Sequence, residues 1–230
     1  MRVAALYDVH GNVHALEAVL GEVAAEVDVV LFGGDLASGP LPRETVDLAR
    51  SAPNAEFILG NADLFSSSWP PDAEARRDWV ADRLDPEQIA WLESRPFSWS
   101  ADDTLYVHAN PRDVEAPLHE WTPEHELAEW SDGVAESRIV SGHVHMQWRR
   151  KVGNREWISA GSVGMPYEDA PGAYWTLLEP DSVTFRRTEY DVERAAAAVR
   201  ASGHPQADEF ADENLLRVPS RAEARSFFGG

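Results

Sequence analysis

Seven side chains in five short clusters have the chemistry to ligate divalent cations. Asp8 and His10 lie in Asp8-Val9-His10-Gly11-Asn12, and Asp35 ends Gly33-Gly34-Asp35. Asn61 lies in Gly60-Asn61-Ala62-Asp63, His108 in Val107-His108-Ala109-Asn110-Pro111, and His143 and His145 in Gly142-His143-Val144-His145. Imidazole, carboxylate and amide without thiolate suit Mn²⁺, Fe or Zn²⁺, and seven donors suffice for two ions. Taken singly the clusters are weak signals. Asp-x-His is usually a turn with a surface histidine, and Gly-Gly-Asp and Gly-Asn-x-Asp are ordinary turn sequences. Gly-His-x-His is stronger, because imidazoles one residue apart on an extended segment point the same way. Their joint occurrence is what makes a purely structural explanation poor.

Each cluster directly follows an apolar run that reads as a buried strand: residues 2–7, 27–32, 56–59, 104–107 and 138–141. Such runs, rich in β-branched and aromatic residues, are expected of strands covered on both faces. Ligands of open sheets bind beyond the carboxyl ends of strands. Five strand ends can therefore bring together residues spread from Asp8 to His145.

Here the chain resembles the calcineurin-like metallophosphoesterases, whose motifs run Asp-x-His, Gly-Asp, Gly-Asn-His-Asp/Glu, a lone His and Gly-His-x-His. It is most similar to their small bacterial branch of phosphoesterases and diadenosine-tetraphosphatase-related proteins. Asp8 to Leu16, His108-Ala-Asn-Pro-Arg112 and Ile158 to Pro166 carry that likeness, which covers roughly residues 2 to 180. The resemblance implies that Asp8, His10 and His145 hold one metal, that Asn61, His108 and His143 hold the other, and that Asp35 bridges them. It places Asp35, Asn61 and His108 at the catalytic centre; the lability of such a site makes Mn²⁺ the first choice of metal, with Fe or Zn²⁺ as alternatives. Two such ions about 3.5–4 Å apart clamp a phosphoryl group and acidify a shared water for in-line attack.

Two departures from the family pattern stand out. Ala62 occupies the position where many relatives carry a histidine that can protonate the leaving oxygen, a function typically worth about 10²–10⁴-fold. Pro166-Tyr167 stands where relatives often have Pro-Arg, so an arginine that reads phosphate is expected to be missing. The loop from Gly161 to Tyr167 is still expected to line the substrate pocket, and Asp63 to orient neighbouring ligands.

The 230 residues suffice for one well-buried core. Residues 1–230 read as a single domain with a core over 2–190 and a helical tail over 191–230. No cysteine is present, which excludes disulfides, thiolate ligands and a cysteine nucleophile. The net charge of −20 argues against an extended nucleic-acid footprint. Neither a signal-peptide pattern nor an apolar stretch near the ~20 residues of a membrane span is visible, and a cytoplasmic protein is expected. Helices are expected over 13–27, 45–50, 72–84, 86–93, 122–130 and 191–201, and strands also over 155–159, 173–179 and 182–189. Asp85, Pro86 and Gln88 form a capping-box pattern, and Pro180-Asp181 a hairpin turn. Strand–helix alternation followed by a strand-rich half predicts an α/β (α+β) fold, a four-layer αββα sandwich of two mixed sheets flanked by helices.

Several tempting residues are set aside. His14 is expected to face solvent, His119 and His125 lack the spacing of a zinc helix, and His204 is expected to be inert. Arg149-Arg150-Lys151 reads as an exposed hairpin face. Trp121, Trp148 and Tyr167 are candidates to stack a base or aryl group. The expected activity is hydrolysis of phosphodiester or phosphoanhydride bonds in small phosphate esters or nucleotides. The alternatives are a phosphomonoesterase or protein phosphatase, and a low-turnover metal-dependent nucleotide-binding regulator. The expected partners are a small-molecule substrate and a second copy in a homo-oligomer, not a membrane.

Overall fold

The computed structural model describes residues 1–23, 26–67 and 71–229, with only the backbone of residues 71 and 72. The first half alternates strand and helix: β1 (Val3–Leu6), α1 (Val13–Val23), β2 (Val29–Phe32), α2 (Pro42–Ser51), β3 (Ala55–Phe57), α3 (Pro71–Ala81) and α4 (Pro86–Glu93). Then come β4 (Ser98–Ala101), β5 (Thr104–Val107), α5 (Glu124–Trp130), β6 (Arg138–Ser141), β7 (Gln147–Val152) and β8 (Arg155–Ala160). The chain closes with β9 (Ala173–Leu178), β10 (Val183–Thr188), α6 (Val192–Ala201), α7 (Ala207–Phe210) and α8 (Arg221–Phe227).

Two mixed five-stranded sheets result, ordered β10-β9-β1-β2-β3 and β4-β5-β6-β8-β7. In the first, β1, β2 and β3 are parallel, and β9 and β10 add antiparallel. In the second, β5, β6 and β8 are parallel, and β4 and β7 pair antiparallel at the two edges. Side chains alternate across each strand, and this period separates three apolar layers. Val3, Ala5 and Tyr7 meet Tyr106, Val140 and Ile158 between the sheets. Ala4 and Leu6 turn outward to Leu16, Val19 and Val46. Val107, Ile139 and Trp157 pack outward with Leu127 and Trp148. The outcome is the expected αββα sandwich.

Local chemistry explains most element boundaries. α2 starts at Pro42, three residues before the expected Thr45, because proline suits the first helical turn, where its missing N–H costs nothing. Gln88 Oε1 accepts the Asp85 N–H at 2.9 Å, half of the expected box, while the Asp85 carboxylate receives Arg43. Asp191 caps α6 by accepting the Arg194 N–H. The expected helix over 13–27 is seen to Val23, and residues 24 and 25 lie outside the described set. The expected 72–84 helix ends at Ala81, and the expected 56–59 strand runs from Ala55 to Phe57. The sequence reading does not mark β4, and it marks β7 only as the exposed hairpin face of Arg149 to Lys151. Both are edge strands, and edges carry polar side chains in place of a continuous apolar run. Arg149 to Lys151 lie on the β7 edge, with Arg149 paired to Glu156 across the hairpin. Among the described residues no helix is long and apolar enough to cross a membrane.

Candidate metal centre

The clusters converge at the carboxyl ends of β1, β2, β3, β5 and β6, in loops that leave strand geometry abruptly. Asp8, His10, Asp35, His143 and His145 have φ of 53°, 46°, 54°, 65° and 58°, in the left-handed region. Non-glycine residues enter it at a cost, Asp, Asn and His less reluctantly than others. Five strained residues in one site mark it as a place where packing enforces a set geometry. The Asp35 and Asn61 loops touch backbone to backbone. A Cβ on Gly60 would stand 2.2 Å from Asp35 Oδ1, and one on Gly34 (φ +95°) 2.6 Å from Gly60 Cα.

The ligand atoms of Asp8, His10 and His145 lie within 4.8 Å of one another, as do those of Asp35, His108 and His143. Each imidazole is fixed by a carbonyl at its far side. His10, His108 and His145 donate Nδ1–H to the oxygens of Ser38 (3.0 Å), Gly33 (2.8 Å) and Met165 (2.7 Å). His143 donates Nε2–H to Glu115 O at 2.9 Å. Such bonds fix the tautomer and turn the other nitrogen's lone pair to the site. The motifs that carried the family likeness build these carbonyls. Ser162 Oγ donates to Asp8 O and accepts Met165 N–H, setting the loop that holds His145. Asn110 Oδ1 accepts the N–H groups of Arg112 and Asp113, and Asp113 accepts those of Glu115 and Ala116, shaping the turn that presents Glu115 O.

This arrangement calls for positive charge. His10 Nε2 and His145 Nε2, both left as acceptors, stand 3.2 Å apart, and His108 Nε2 stands 2.9 Å from Asn61 Oδ1. Asp8 Oδ1 is buried without a hydrogen-bond partner, 3.5 Å from His145 Nε2. Orphaned acceptors are rare in protein interiors, and a cation between these atoms resolves all three contacts. The donors therefore fit divalent metal. Protons also answer this demand. Burial opposes a charged ring, but Asp35 and then Asp8 hold His108 up at about 10, and Asp8 raises His145. Burial and His145 lower His10, and burial and His108 lower His143. Burial would raise Asp35, yet His108 and His10 keep it well below the carboxylate range.

Asp35 occupies the middle. Its Oδ1 accepts the Ala62 N–H at 2.7 Å, which leaves Oδ2 facing His10 Nε2 at 3.7 Å and His108 Nε2 at 3.5 Å. Asp63 locks this loop by accepting the N–H groups of Asp35 (2.9 Å), Leu36 (3.1 Å) and Gly60 (3.1 Å). An amide in its place turns one acceptor into a donor facing backbone donors. Asp63→Asn should then cost about 2 kcal/mol and weaken metal binding by about 10–100-fold. Urea denaturation and a metal titration of the variant check both; unchanged metal affinity would remove Asp63 from this role.

The fold and motif order agree with comparisons to known proteins. The model of the calcineurin-like phosphoesterase superfamily domain matches residues 1–182. The chain belongs to the calcineurin-like phosphoesterase superfamily. A metallophosphoesterase from Sphaerobacter thermophilus is 29% identical with a TM-score of 0.77, covering 94% of this chain and 98% of that one. A hypothetical protein, PH1004, from Pyrococcus horikoshii OT3 shares the fold at 18% identity, with a TM-score of 0.80 and coverage of 91% and 97%. An uncharacterised protein, MJ0912, from Methanocaldococcus jannaschii is 24% identical over 84% of this chain and 89% of its own length.

A pocket of about 600 Å³ opens on the site, lined by His10, Asp35, Asn61, Ala62, His143 and His145. Met165 and Tyr167 line it too, as expected of their loop. Of the other two aromatic candidates, Trp148 is buried in the outer layer and Trp121 stacks on His119. The sequence reading did not single out Arg76 and expected His204 to be inert; both stand on the pocket wall. His204 comes before a proline, which reads as a plain turn, and nothing in the α3 sequence marks Arg76. Only the packing of the tail against α3, where Arg76 Nη1 donates to Gln206 Oε1, brings them in.

Proposed function

We propose that the chain is a dinuclear metal-dependent phosphoesterase acting on phosphodiester or phosphoanhydride bonds of small phosphate esters or nucleotides. The observation that carries this reading is the placement of Asp35 Oδ2 between the two histidine-bearing sets. Asp8, His10 and His145 would hold one ion, and Asn61, His108 and His143 the other, with Asp35 shared. Bound there, two divalent ions (Mn²⁺ by preference because the site is labile, Fe or Zn²⁺ otherwise) would supply Lewis acidity toward phosphoryl oxygens and acidify the attacking water.

The chain's own contribution is orientation. Four backbone carbonyls hold the imidazoles, so their site-facing nitrogens need no rearrangement to bind. Asn61 and His108 stand at the reacting centre together with Asp35. Ala62 lines the pocket and has no proton to give. Asp35 in the N-terminal part of the chain and Phe227 near its C-terminus line one pocket, which supports reading residues 1–230 as one functional unit. Ala62 also favours a second reading, a metal-dependent nucleotide-binding protein with little turnover. A panel of phosphate esters assayed with Mn²⁺, Fe²⁺ and Zn²⁺ separates the two. Hydrolysis of bis(p-nitrophenyl) phosphate that stops on chelation and returns with Mn²⁺ is expected; metal-loaded protein that binds nucleotide but turns over no ester would establish the second reading instead.

A further inference from the structure

The pocket wall opposite the metal-binding side chains comes from the C-terminal tail, which lies beyond the residues matched by the family model. His204, Glu209, Phe210, Asn214 and Phe227 line it. An adjoining cavity of about 520 Å³ continues past Tyr167 and Phe227, and Glu213 and Glu223 also line it. This wall is built into the fold. Phe210 and Leu215 are buried against Val199 of α6. Arg221, at the start of α8, donates to both oxygens of the buried Glu168 at 3.0 Å and to Gln147 O at 2.9 Å.

Its chemistry is selective. Tyr167 and Phe227 offer aromatic surface, and Phe227 is 84% exposed. Residues 211–216 form a π-helical turn, a distortion frequent at functional sites. It carries Asn214, whose amide makes no hydrogen bond to another described residue. His204 Nδ1 accepts the Gln206 N–H at 3.2 Å, which leaves the Nε2–H of the neutral ring for a ligand. The adjoining cavity is acidic, with Glu209, Glu213 and Glu223 set against Arg217. Gln206 links Arg76 to Glu209, and Arg217 is paired with Glu223, so Glu213 stands in the adjoining cavity as an uncompensated carboxylate.

We propose that residues 204–227 form the subsite for the organic group of the ester, that it takes a flat, uncharged aromatic group such as the base of a nucleoside, and that its carboxylates exclude a second phosphate. This rests on the phosphoesterase reading and narrows it toward esters of a single phosphate, away from polyphosphate chains.

Calorimetric titration of the Mn²⁺-loaded protein tests it with methyl phosphate, adenosine 5′-monophosphate and adenosine 3′,5′-bisphosphate. The monophosphate should bind about tenfold tighter than methyl phosphate, as expected of aromatic contact plus one amide bond. Phe227→Ala combined with Asn214→Ala should narrow that ratio to about twofold. The bisphosphate should bind no tighter than the monophosphate, and Glu213→Gln should improve its relative affinity. Equal binding of methyl phosphate and the monophosphate, a ratio indifferent to the double variant, or a bisphosphate preferred by tenfold would overturn the subsite and leave the phosphoesterase reading intact. Failure of every phosphate ligand to bind would overturn both.

Discussion

Asp35→Asn should reduce metal affinity by more than about 100-fold and bring hydrolysis close to background. Loss of a residue that only supports a metal ligand already costs about 10–100-fold, and Asp35 faces both sets. The variant is nearly isosteric, so the fold survives, but its amide has no good orientation. If its oxygen keeps the Ala62 N–H, its NH₂ replaces Oδ2 opposite His10 and His108 and offers them no negative charge. If it turns around, two donors meet at Ala62. Equilibrium dialysis with Mn²⁺ and turnover of bis(p-nitrophenyl) phosphate measure the effect. A variant that keeps two ions at parental affinity would show that Asp35 is not shared between them.

The second large effect concerns Ala62. With no acid at that position, the leaving oxygen departs largely unprotonated, and rate should depend steeply on leaving-group acidity. Other histidines do not fill the role. His14 lies on α1 and His119 is stacked on Trp121, neither of them on the pocket wall. His204 does line the pocket, but burial together with Arg76 and Arg83 holds it at about 4, so it carries no exchangeable charge at neutral pH. Aryl diesters should react far faster than alkyl monoesters. Ala62→His, at a position open to the pocket, should flatten that dependence and raise alkyl monoester turnover by about 100-fold, the lower end of general-acid effects. A series of esters with graded leaving-group pKa, run on both proteins at fixed Mn²⁺, gives the two slopes. A flat slope in the parental chain would mean that another group delivers the proton.

Much of this site was legible in the sequence because its information is local. A strand is a short apolar run and a ligand follows it directly, so Asp8, Asp35 and His108 are each placed by their own neighbours. The carboxyl-end rule then gathers them without any knowledge of packing. Close approach explains why glycines crowd the same motifs, since a Cβ on Gly33, Gly60 or Gly142 would stand within 2.4 Å of Tyr7 or Asp35. Edge strand β4 escaped notice, and β7 reads only as a hairpin face, because polar side chains erase the apolar run on which recognition depends. His204 and Asn214 were beyond reach for a different reason. They enter the pocket through the docking of α6, the π-helical turn and α8, contacts between segments far apart in the chain, His204 lying 59 residues beyond His145.

Joint action of two ions on one phosphate is tested most directly by a stoichiometric titration. Mn²⁺ added stepwise to chelator-stripped protein, with hydrolysis followed at each step, should restore activity to a plateau at two ions per chain. A plateau at one ion per chain, or full activity in stripped protein with no detectable metal, would contradict the dinuclear centre.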